Sequence, residues 1–121
     1  ALAPFDLHSN ISARAANLIL AENKETTVFY NGGSFFEAAP MPQNTTILAR
    51  YKDLPNQPAA IIKIKFGSGT AILSGVHFDY DQSLLDPTDI YLKPIIKILK
   101  MHEIERQQLL YSLFTQLGLS I

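Results

Sequence analysis

Alternation of apolar and polar positions is sharpest after Ala60. There Ile62, Ile64 and Phe66 alternate with Lys63 and Lys65, and Gly67-Ser68-Gly69 then turns the chain into Ala71-Ile72-Leu73. A period of two followed by a glycine turn predicts a β-hairpin across Ala60 to Val76. Its first arm should have one wet face. Its second arm, continuous and apolar up to Val76, is expected to be buried on both sides and to lie deeper in the sheet. Thr26 to Tyr30, β-branched and aromatic, predicts another strand. It runs into Asn31-Gly32-Gly33, a break that requires positive φ or close approach of backbone. Pro40-Met41-Pro42 reads as surface loop before a further strand at Thr46 to Tyr51. Ala13 to Ala21 fits either one short helix or a strand.

Beyond Asp86-Pro87 the period changes to that of a helix. Pro94 suits a first helical turn, with Ile95, Ile98 and Leu99 on one side. Leu110, Leu113, Phe114 and Leu117 then recur at helical spacing, and Gly118 follows as the C-terminal stop. The pattern is that of an α/β chain whose sheet face is covered by one or two C-terminal amphipathic helices.

Composition narrows the function classes. The 121 residues fit one domain, and 47% are hydrophobic, as expected of a chain that buries a core. The formal net charge is −1 and the charges are scattered singly, so no basic stripe for nucleic acid is present. No apolar run reaches the roughly 18 to 20 residues of a membrane span, and no basic segment precedes a hydrophobic one at the N-terminus. A soluble, cytoplasmic protein is expected. There is no cysteine, hence no disulfide, no thiolate metal ligand and no cysteine nucleophile within these residues. Asn10-Ile11-Ser12 and Asn44-Thr45-Thr46 match the glycosylation pattern, but without a secretory context they are expected to go unused.

Candidate chemistry gathers after the hairpin. His77 follows an apolar strand directly and so emerges at a strand's carboxyl end, where open α/β sheets place their sites. Asp79 lies two residues on, and a carboxylate near an imidazole can fix its tautomer and stabilise the imidazolium. A histidine at a strand end also serves as a hydrogen-bonded structural residue. A third reading is metal binding by His77, Asp79 and Asp81, which would face one way if the strand continued. His8 and His102 read as surface or capping residues. Tyr30, Asn31, Gly32 and Gly33 form a candidate ligand or oxyanion site, since glycine-rich turns can present backbone N–H groups, although a tight turn without a ligand fits equally. Ser68 sits in a hairpin turn and lacks the strand-to-helix elbow of a serine nucleophile. The Gly-x-Gly-x-x-Gly and Walker patterns are missing, and no cofactor is called for.

In combination, several segments form a more specific pattern. They are Phe29-Tyr30-Asn31-Gly32-Gly33, Ile47-Leu48-Ala49-Arg50-Tyr51, the run Gly67 to Asp79 with its Ser74-Gly75-Val76-His77, and Leu117-Gly118-Leu119. They resemble the N-terminal domain family of biotin–protein ligases, which looks like a class I glutamine amidotransferase. The resemblance runs the length of the chain. It implies a flavodoxin-like, three-layer α/β sandwich of which residues 1–121 are the C-terminal half. It also implies that His77 and Asp79 correspond to the histidine and acid of a Cys-His-Glu triad.

Phe78 stands where that family has proline and Asp79 where it has glutamate, which shortens the carboxylate by one methylene. The cysteine elbow of the family lies upstream of anything matched here. Half of such a sandwich would leave an open sheet edge and a bare apolar face, so the partner expected is the missing N-terminal half or a second copy of the chain. Biotin ligation would belong to a separate catalytic domain. The alternative is a non-catalytic regulatory or docking module of the same fold.

Overall fold

A computed structural model describes residues 13–37 and 42–119. Expectations for His8, for Asn10-Ile11-Ser12 and for the Pro40-Met41 part of the loop lie outside these residues. Five strands form one sheet: β1 Arg14–Leu20, β2 Glu25–Tyr30, β3 Thr45–Tyr51, β4 Ala59–Phe66 and β5 Gly69–Ser74. Two helices follow, α1 Lys93–Met101 and α2 Glu103–Gln116. The strand order is β2-β1-β3-β4-β5, and every pairing is antiparallel. The arrangement is α/β, with an antiparallel five-stranded sheet and two C-terminal helices. The parallel strand pairs of a flavodoxin-like sheet are not among the described residues.

The segment 14–20 is a strand although its residues favour helix. It lies between β2 and β3 and pairs with both, so ladder bonds on two sides override local propensity. The link to β2 is a single 3-10 turn whose Glu22 and Asn23 take positive φ (61° and 58°). Alternation then sorts the side chains of β1 and β2 between two cores. Ala16, Leu18, Val28 and Tyr30 join Leu109 and Leu113 of α2, whereas Ala15 and Phe29 join Ile95, Ile96 and Leu99 of α1. The two helices therefore cover opposite faces of the sheet at its β1–β2 side.

Several expectations need correction. The hairpin forms where predicted, but its depth is reversed: β5 is the edge strand, and β4, paired on both sides, is the buried one. Ala59 to Ile62 are buried whichever face they point to, so the first arm has no continuous wet face. Lys63 is not simply solvated, because its Nζ donates to Gln116 Oε1 at the end of α2 (2.9 Å). On α1 the buried positions are Ile95, Ile96 and Leu99, while Ile98 is exposed. On α2 they are Arg106, Leu109 and Leu113, a stripe rotated from the one predicted, with Leu117 exposed. Gly118 ends α2 as expected. At φ 82° it closes a Schellman motif in which Leu119 N–H reaches Phe114 O (3.0 Å) and Gly118 N–H reaches Thr115 O (2.9 Å).

Candidate functional site

The end of β2 and the segment after β5 meet at two glycines. A Cβ added to Gly33 would lie 1.8 Å from Gly75 O, and one added to Gly75 would lie 1.8 Å from Ser34 O. Only backbone without side chains can approach so closely. Gly32 takes φ 71°, so the break after β2 uses both devices that glycine permits. Two buried phenols brace the turn. Tyr30 Oη donates to Gly33 O (2.8 Å), and Tyr51 Oη donates to Ser34 O (2.6 Å). Their rings pack edge to face at 6.3 Å. Burial pushes both phenols above their ordinary range, with Arg14 opposing at Tyr30 and Tyr30 adding at Tyr51, so both remain donors. Tyr30 is thus a brace for the turn, its hydroxyl already engaged.

The same contact carries the chain to His77. Its N–H donates to Phe29 O (2.9 Å), which forms an isolated antiparallel bridge with β2. The imidazole is exposed and lies 5.8 Å from the Phe29 ring and 6.3 Å from that of Tyr80. Tyr80 N–H returns to His77 O (3.3 Å), which closes a turn in place of a continued strand. Asp79 is exposed on that turn, and no hydrogen bond or ion pair joins it to His77 among the described residues. Nor does any group of three His, Asp or Glu side chains there converge as a metal site would need.

Sequence reasoning missed the residue that fixes this turn from behind. Arg106 on α2 is buried, and its Nη1 donates to Phe78 O (3.1 Å). Its Nε and Nη2 grip Glu103 in a fork (2.9 and 2.6 Å). That bond holds the Glu103 carboxyl below its usual range, helped by Gln107 and opposed by burial and by Asp81. The Arg106 guanidinium is held above its own range, first by the bond to Glu103 and further by the charges of Asp81 and Asp79. Asp79 therefore sits in the field of Arg106. Asp81 caps the following 3-10 turn by accepting from Ser83 N–H (2.9 Å), which lowers its pKa and commits its carboxylate there. The one signal in the sequence was the Glu103-Arg106 spacing, which puts an ion pair on one helix face.

The structure thus brings together the Asn31–Gly33 turn and His77, and leaves Asp79 apart from the imidazole. His102, at the junction of α1 and α2, makes no side-chain cap bond. Two cavities lie elsewhere. One of about 650 Å³ opens between α2, β3 and the β1–β2 turn, lined by Leu20, Ile47, Leu109 and Ser112 among others. The other, about 410 Å³, lies against Ala13 to Asn17 and Asp53. Neither is lined by His77.

The family model for the N-terminal part of biotin–protein ligases matches residues 1–121. The chain belongs to that family. A biotin–protein ligase of Schizosaccharomyces pombe is 30% identical over 93 residues, 70% of this chain and 15% of that protein. An uncharacterized protein of Chlamydia muridarum is 45% identical over 51 residues, 42% of this chain and 20% of that protein. The matched regions thus span a fifth or less of these curated relatives. No solved structure matches the chain. For a member of this biotin–protein ligase N-terminal family, the Gly33–Gly75 contact and the His77 turn are the features that a functional account has to explain.

Proposed function

We propose that the chain is the histidine-bearing part of a glutamine-amidotransferase-like, flavodoxin-like module in a larger, cytoplasmic, biotin–protein-ligase-type polypeptide. In this reading His77 is the general base for a thiol supplied from outside these residues. The observation that carries the reading is an exposed imidazole on a fixed backbone: His77 N–H is bonded to Phe29 O, while its ring faces solvent. Helices on opposite faces of β1 and β2 support the sandwich architecture.

The chemistry follows from the group. Neutral imidazole takes the thiol proton, the thiolate adds to an acyl carbon, and the imidazolium returns the proton to the leaving group. The Asn31–Gly33 turn, packed against Gly75 two residues before His77, supplies the N–H groups for the oxyanion. The test is alkylation of the full-length polypeptide at neutral pH. His77→Ala is expected to slow labelling of one cysteine by about tenfold or more.

A second reading, a non-catalytic docking or regulatory module, is favoured by one observation: Asp79 is exposed on its turn and makes no bond to His77 among the described residues. Unchanged cysteine labelling in His77→Ala would select it.

A further inference from the structure

We infer that β5 pairs antiparallel with β5 of a second copy of this chain. It takes up one of the two partners expected from the sequence, a second copy of the chain, and does not rest on the chemistry of His77. Gly75 N–H donates to Ala60 O (2.9 Å), which fixes the phase of the β4–β5 ladder. Antiparallel pairs alternate between exchanging both backbone bonds and exchanging none. Gly69, Ala71 and Leu73 therefore bond to β4, and Thr70, Ile72 and Ser74 turn their N–H and C=O groups to the open edge. Among the described residues no strand lies beyond β5.

Edges left open in monomers are blunted by charge, by proline or by bulges. β5, Gly-Thr-Ala-Ile-Leu-Ser, has neither charge nor proline, and its ladder with β4 runs without a register shift. Its composition is that of an interior strand. The outward set is also symmetric about Ile72. A twofold axis there places Ile72 opposite its counterpart and Thr70 opposite Ser74, so that about six backbone hydrogen bonds form. Thr70 then lies across from Ser74, whose hydroxyl is held by the Val76 backbone, on one side of the sheet. On the other, Leu73, 44% exposed, lies across from Ala71 of the second copy. No like charges meet anywhere along the pair. That self-match selects a second copy as the occupant over an unrelated strand.

The test is sedimentation of the 121-residue chain over a range of concentrations. The mass is expected to rise from 13.5 kDa toward twice that value. Thr70→Pro removes an N–H that β4 does not use, so the variant should keep its circular dichroism and sediment as a monomer. A second measurement stands if that variant fails to fold. Because the chain has no cysteine, Ile72→Cys introduces a single thiol, and twofold pairing sets the two Cα atoms about 5.5 Å apart, within disulfide range. Oxidation should cross-link Ile72→Cys much faster than Ile104→Cys, whose site on α2 is 71% exposed. A chain that stays at 13.5 kDa throughout overturns the inference, as does equal cross-linking at the two sites. Either failure leaves the alkylation test of His77 unaffected.

Discussion

Two turns meet at the end of β2, and they are held in opposite ways. The turn from Tyr30 to Ser34 is locked by backbone against backbone at Gly33 and Gly75, and braced by two buried phenols. The turn from His77 to Tyr80 has one backbone bond to Phe29 and one donor from Arg106, and it leaves the imidazole and Asp79 in solvent. The contrast shows how an exposed side chain can be aimed without being buried. What is buried is the scaffold on either side of it.

The largest break in this contrast should come from Gly75→Ala. The added Cβ meets the Ser34 carbonyl and the Tyr51 hydroxyl, and the carbonyl cannot swing aside as a flexible side chain could. Denaturant unfolding should show a loss of more than about 3 kcal/mol, or no folded protein. A loss typical of a surface site would mean that the two turns separate easily. Arg106→Ala should come next, at about 2 kcal/mol, since it strands Glu103 and the Phe78 carbonyl, though Glu103 keeps some access to water. Tyr51→Phe deletes one hydroxyl from the locked turn and should cost about 1 kcal/mol in the same assay.

Acid sharpens the comparison on the side of the exposed turn. Because Arg106 lowers the folded pKa of Glu103, the resulting stability is present above its unfolded value of 4.5 and is lost as pH falls through the folded value. The difference in melting temperature between wild type and Glu103→Gln should therefore be widest above pH 4.5 and close below it. A difference that widens on acidification would contradict the assigned pair. The smallest effect should be that of His77→Ala, within about 1 kcal/mol, because only ring contacts with Phe29 and Tyr80 are lost. Its consequence belongs in thiol reactivity, not in stability.

These sites differ in how far the sequence alone reveals them. The hairpin, the glycine break after Tyr30 and the glycine stop after α2 are local signals, and each was readable from a few neighbouring residues. The positions of β4 and β5 were not. Val, Ile and Leu content reports how buried a strand is in its final assembly, whereas edge or centre depends on pairing partners distant in sequence. The helix stripes shifted for a similar reason: Arg106 occupies a buried position that hydropathy assigns to an apolar residue, because Glu103 and Phe78 O satisfy its donors. At the site, His77 was legible from its place after a strand. Its separation from Asp79 was not, since the chain turns after His77, with Tyr80 N–H on His77 O, where a continued strand would have kept the two residues on one face.

The central claim is that His77 carries a free ring on a fixed backbone, and amide hydrogen exchange tests it most directly. The His77 amide, bonded to Phe29 O, should exchange as slowly as that of Gly75, while the amide of Asp79, without a bonded acceptor among the described residues, should exchange quickly. A His77 amide that exchanges as fast as that of Asp79 would mean the ring is not aimed at all.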